Sequence, residues 1–235
     1  MASKVDTRVI ALVSVFAALY AAGTFLPGFP LIGISGSSIS LVRALEGSYG
    51  LVLGPIYGPV AAFLGAFIGK TLIGDAVGLW LTPLAAVSSF VAACLGRKRV
   101  AGLPGWAIGS GVLASLIVFW YGTGIGLTIP LYAAPHIAAL ILALTFRGNT
   151  AEYIESGSGR RLVLGVAIVS FVGTWSGHIA GGLISVYAIG MNPSFFFVIL
   201  PVSIVERTVI TAISTAIGVP LILAVRRFFP ELREL

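Results

Sequence analysis

Arg43, Glu46, Lys70, Trp175, His178, Glu206 and Arg207 are the side chains of this sequence best equipped for chemistry, and all stand in otherwise apolar surroundings. Ionisable groups in apolar stretches are costly, so they pair with one another or line a cavity. Arg207 can grip a carboxylate or phosphate through its planar fork of donors. Trp175 and His178, three apart, can hold an aromatic or heterocyclic ligand by stacking and hydrogen bonding. The competing reading is structural. Arg207 then pairs with Glu206 or Glu46, His178 bonds a backbone carbonyl, and Trp175 is core. Bond-making chemistry has less support. His178 and Glu206 could act as acid and base, but no nucleophile or metal constellation accompanies them. His136 and His178 are the only histidines and Cys94 the only cysteine, so no metal site, cofactor or internal disulfide is expected, and the chain is not expected to be an enzyme.

The elements that must position these groups are membrane helices. Hydrophobic residues make up 58%, charged residues 9%, and mean hydropathy is +1.07. Soluble domains carry about 25% charge, so this chain cannot cover itself for water. Its apolar runs are long enough to cross a bilayer repeatedly. The expected fold is all-α: a polytopic bundle of about eight spans forming one integral membrane domain over 1–235.

Pro55 and Pro59 cannot both sit within one unbroken helix. Gly54–Pro59 therefore reads as a tight turn between helices at about 40–53 and 60–73. The other expected spans are 9–26, 79–95, 106–121, a sixth ending at 146 and broken by Pro130 and Pro135, 162–189 and 196–225. Residues 27–38 form an outer loop, and 147–161 a polar cytoplasmic loop. Lys4 and Arg8, Arg97-Lys98-Arg99 and Arg226-Arg227 mark the cytoplasmic side, with both termini inside, in the cell membrane. In this topology Arg43, Lys70 and Arg207 balance Glu46, Asp75 and Glu206 near the outer side. The net charge of +6 then belongs to the cytoplasmic face and calls for no nucleic acid. Trp80, Trp120, Tyr121 and Tyr187 also fall in the outer half, the first three as interfacial anchors, and His136 lies near mid-depth. This one-sided distribution suggests a pocket open to the outside.

Small residues mark close-packing faces. Gly65 and Gly69 are four apart on the third helix, and Gly173, Gly177 and Gly181 form a stripe on the seventh. Trp175, His178, Gly182 and Ser185 lie on the adjoining face. Ser203, Arg207, Thr211 and Ser214 share a face of the last helix, with Glu206 at its edge. On the first helix Ala17, Ala18, Ala21 and Ala22 form two small pairs, read either as internal packing or as a docking face for another membrane subunit. Gly65-Ala66-Phe67-Ile68-Gly69-Lys70-Thr71 is one residue short of a phosphate-binding loop and follows no strand, so the chain shows no ATPase of its own.

The Gly54-Pro55-Ile56-Tyr57-Gly58 turn resembles the hallmark turn of the substrate-binding S components of energy-coupling factor (ECF) vitamin transporters. The alanine pairs are similar to that family's contact face for the coupling subunit. Gly173-Thr174-Trp175-Ser176-Gly177-His178 and Pro201-Val202-Ser203-Ile204-Val205-Glu206-Arg207 resemble its final helix pair. The resemblance covers about 8–96 and 162–227. It implies a six-helix core, here with an extra hairpin at about 105–146. It further implies uptake of a vitamin-like small molecule bound at the outer face, with partners comprising a coupling transmembrane subunit and two ATPase subunits. The alternative is a self-sufficient carrier coupled to protons or sodium. Such carriers place their sites at the midplane between repeats, and no repeat is evident here. An intramembrane enzyme ranks third.

Overall fold

The computed structural model describes residues 7–26, 28–30, 38–155 and 158–228. Lys4 and most of the expected 27–38 loop lie outside them. Helix α1 (Thr7–Gly23) leads to a short antiparallel pair, β1 (Gly28–Pro30) with β2 (Ser38–Ser40), in which Gly28 faces Ser40. A 3-10 turn (Leu41–Ala44), capped by the Ser40 hydroxyl accepting from the Val42 N–H, opens α2 (Leu45–Leu72). Short α3 (Ala76–Trp80) and α4 (Pro83–Leu95) follow, then a two-residue hairpin pair, β3 (Arg99–Val100) and β4 (Leu103–Pro104). Helices α5 (Gly105–Tyr121), α6 (Gly124–Thr128), α7 (Ala134–Glu155), α8 (Gly159–Ile184) and α9 (Pro193–Phe228) complete the bundle.

Five described segments are long and apolar enough to cross a membrane: 41–72, 76–95, 130–155, 159–189 and 193–228. Helices α1 and α5 are shorter and also apolar. The first segment is two rods rather than one. Gly54 has φ 86 and ψ −178, a conformation essentially restricted to glycine. A Cβ on Gly58 would stand 2.6 Å from the Tyr49 carbonyl oxygen, whereas a continuous helix separates residues 49 and 58 by roughly 13 Å. The chain therefore reverses at Gly54, and Pro55 opens the second arm, where its missing N–H costs nothing. The turn is tighter than the expected 54–59. Counting both arms gives eight apolar rods among the described residues.

Two boundaries differ from expectation. Pro135 does not break a helix: it lies in the first turn of α7, where proline is tolerated. The break falls before it, at Ile129 and the 3-10 turn Pro130–Ala133. The expected loop at 147–161 is mostly helical, because α7 runs on through its polar residues to Glu155. Lys98 bonds Glu155 at 2.7 Å, tying the end of α7 to the turn after α4.

Helix α8 is the axis of the bundle. Within the best 18-residue window, 78% of its residues are buried, against 22% for α9, whose Phe197 and Val205 point outward. Its glycine stripe faces α4: a Cβ on Gly173 would meet the Ser88 carbonyl oxygen at 3.0 Å, and one on Gly177 the Leu84 carbonyl oxygen at 3.0 Å. Gly181 receives the Leu84 side chain. Gly65 and Gly69 admit α1 in the same way, with the Ala17 carbonyl oxygen 2.7 Å from a Cβ on Gly65.

Candidate functional site

The buried charges of the expected outer set divide into three ion pairs. Arg43 Nη1 lies 3.5 Å from Glu46 Oε1, Lys70 Nζ donates to Asp75 Oδ2 at 2.7 Å, and Arg207 Nη2 donates to Glu206 Oε1 at 2.6 Å. Pairing is what low dielectric demands. The first and third pairs lie within electrostatic reach of one another. Glu46 also accepts from the Tyr20 hydroxyl at 2.7 Å, and Arg207 donates through Nη1 to Thr174 Oγ1 at 3.1 Å. Three atoms of this cluster have no hydrogen-bond partner among the described residues: Glu46 Oε2, Glu206 Oε2 and Arg207 Nε.

Beside Arg207 runs a chain of neutral polar groups. His136 Nδ1 lies 3.0 Å from the Tyr132 carbonyl oxygen, His136 Nε2 3.0 Å from His178 Nδ1, and His178 Nε2 2.9 Å from Ser203 Oγ. A carbonyl can only accept, so with both rings neutral every proton is placed. His136 donates to the carbonyl, His178 donates to His136, and Ser203 donates to His178. The Tyr132 hydroxyl, 3.4 Å from His178 Nδ1, meets a nitrogen that already carries a proton, so its own hydrogen is left for another acceptor. Trp175 stands edge-on to both imidazoles, with centroids 5.0 and 5.2 Å away.

These groups border a narrow cavity of about 50 Å³. Arg43, Tyr132, His178, Ser203 and Arg207 supply its polar wall; Leu81, Leu84, Phe195, Phe196 and Ile199 supply the apolar one. Gly181 and Gly182 of α8, and Ser185 just past its end, also line it. The cavity lies toward the α3–α4 and α8–α9 connections. The opposite end carries Arg97, Lys98, Arg226 and the end of α7, joined by bonds from Arg97 to the Gly50 carbonyl and from Arg226 to the Ile154 carbonyl.

Of the expected site residues, Arg43, His178 and Arg207 line this cavity. Glu46 and Glu206 stand behind their arginines rather than in the wall. Lys70 does not join them: it is held by Asp75, which also caps α3 by accepting from the Gly78 N–H at 2.8 Å, and it borders a separate small cavity with Tyr20 and Thr82. Trp175 is 2% exposed and packs behind the histidines, outside the cavity lining. Trp120, expected at the interface, is fully buried against Tyr132 and Phe196 at centroid distances of 4.5 and 5.0 Å, its ring turned inward onto Gly182 of α8. Trp80 does stay 60% exposed. His178 and Glu206, the acid and base of the last-ranked alternative, have other partners: the imidazole bonds Ser203 and the carboxylate Arg207.

Tyr132 and Ser203 complete the wall, and His136 backs it through His178, without any of the three having been singled out as site residues. The first two come from the 105–146 segment that the sequence reading set apart as an extra hairpin. Ser203, His178 and His136 follow the order of nucleophile, base and orienting group. Ser203 sits inside α9, however, where backbone N–H groups serve the helix ladder and offer no oxyanion hole.

The alanines of α1 divide by face. Ala17 and Ala21 are buried against Gly65 and Gly69 and reach the surface only at the base of the groove beside them. Ala18 and Ala22 are exposed and line an external apolar groove with Phe25, Leu64, Ile68 and Leu72.

No protein-family model matches the chain, and no solved structure matches it. It is similar to an uncharacterized protein of Methanocaldococcus jannaschii, 27% identical over 189 residues, which are 79% of this chain and 61% of that relative.

Proposed function

We propose that the protein is a substrate-specific membrane binding subunit for uptake of a vitamin-like small molecule, working with an ATP-driven coupling module in the cell membrane. The observation that carries this reading is the cavity walled by Arg43, Tyr132, His178, Ser203 and Arg207, set opposite the arginine- and lysine-rich end. By the positive-inside rule the cavity end faces outward, where a capture subunit meets its ligand. Ligand pockets usually measure about 300–1,000 Å³, so this reading requires the present 50 Å³ to widen when ligand enters. Leu81 and Phe195, half-buried near the ends of the α3–α4 and α8–α9 connections, are placed to part when ligand enters. The groove at Ala18 and Ala22 offers the coupling subunit a flat apolar face. Energy must then come from partners.

The buried Ser203–His178–His136 chain favours a second reading, an ion-coupled carrier, since such chains serve as proton relays in transporters. Purification from gently solubilised membranes separates the two. Recovery of one further membrane subunit and two ATPases is expected, and Ala18→Leu or Ala22→Leu should abolish it while ligand binding persists. Ligand accumulation by the lone protein in liposomes under a proton gradient would instead establish the carrier.

A further inference from the structure

The charge on the cavity wall is not balanced, although the cluster as a whole is. Both guanidinium groups line the cavity, while Glu46 and Glu206 contribute nothing to its lining. Among the described residues Arg43 bonds Glu46 at a loose 3.5 Å, and Arg207 keeps Nε unpartnered although the residue is 1% exposed. A buried guanidinium with an unmet donor favours an oxyanion. The fixed hydrogen-bond order adds direction. Ser203 spends its hydrogen on His178 and so presents lone pairs, while the Tyr132 hydrogen remains to be donated. The opposite wall is apolar and partly aromatic through Phe195 and Phe196.

We infer that the cavity takes the anionic head of an amphipathic organic acid, a carboxylate or phosphate, between Arg43 and Arg207, with its apolar body against Phe195, Phe196 and Ile199. Tyr132 donates to the head, and Ser203 accepts from a hydroxyl or N–H beside it. The 50 Å³ now present suits such a head alone, and the body displaces the mouth residues. The inference rests on the reading of this cavity as a ligand site, but not on the source of energy.

The test is equilibrium binding of benzoate, phenyl phosphate and the neutral isostere benzamide to the purified full chain in lipid nanodiscs. One or both anions should bind about 10- to 100-fold more tightly than benzamide, the range for a hydrogen bond to a charged group. Which anion is preferred tells carboxylate from phosphate. The double variant Arg207→Gln, Glu206→Gln, which leaves no stranded charge at that pair, should cut the preference, read as the ratio of anion to benzamide affinity within that same variant, to less than about a tenth of its original value. Equal affinity for benzamide, no binding of either anion, or an undiminished preference in the double variant would each overturn the inference. Preference for a neutral ligand would leave the uptake reading standing. Absence of ATPase partners would leave the anion result standing.

Discussion

Arg207 holds the site together through three different demands on one side chain. It neutralises Glu206, anchors α9 to Thr174 on α8, and still turns a face to the cavity. Removing it alone strands a carboxylate that is 1% exposed, and breaking such a buried pair costs about 3–5 kcal/mol. Arg207→Gln should therefore lower the thermal unfolding midpoint in detergent markedly. Adding Glu206→Gln should restore much of that loss, because both charges are then gone. If the double variant is no more stable than the single, the carboxylate has another counterion. His178 makes a different demand. Its place in a one-way hydrogen-bond chain means that His178→Ala frees both Ser203 and His136 at once, whereas a lone histidine on a carbonyl would free one partner. The spacing of Trp175, His178 and Ser185 on one helix showed a polar face, but it could not show that His136 would close the chain from another helix.

At the scale of elements, glycine decides where the rods turn and how near they come. Gly54 alone reverses α2 because its φ of 86 with ψ −178 suits no other residue. Gly54→Ala should cost about 1–3 kcal/mol. Gly148 lies exposed within α7 with nothing within 4 Å of an added Cβ. Gly148→Ala should stabilise by about 0.5–1 kcal/mol, since alanine restricts the unfolded chain and favours helix. Thermal unfolding of the two variants side by side checks both signs. Equal effects would mean that α2 tolerates another path at residue 54. The Gly54 turn was legible because two prolines four apart forbid a continuous helix. The extension of α7 to Glu155 was not legible, because polar residues beyond a membrane boundary read as loop whether or not the helix continues into water.

Over the whole molecule, two ends of opposite character are joined by apolar rods. One gathers Arg97, Lys98, Arg226 and Glu155; the other gathers the cavity and the connections around it. If the basic end faces the cytoplasm, a cysteine at Tyr187, which is 73% exposed, should react with an impermeant maleimide added to intact cells. One at exposed Arg99 should react only after permeabilisation, and buried Cys94 should stay silent in both. The reverse labelling pattern would turn the cavity inward and remove the capture role.

Composition and periodicity by themselves determined the all-α class, helices long and apolar enough to cross a membrane, the glycine faces and the set of ionisable groups that had to pair. These follow from local chemistry: the length of an apolar run is read directly from the chain, and helical spacing states which residues share a face. Only the tertiary structure decided which face meets which neighbour. It buried Ala17 and Ala21 while leaving Ala18 and Ala22 open, sent Lys70 to Asp75 instead of the cavity, turned Trp120 inward, and brought Tyr132 and His136 against His178. The physical reason is that a helix's rotation about its axis is set by its partners, and the partners that meet α8 at His178 lie 25, 42 and 46 residues away along the chain.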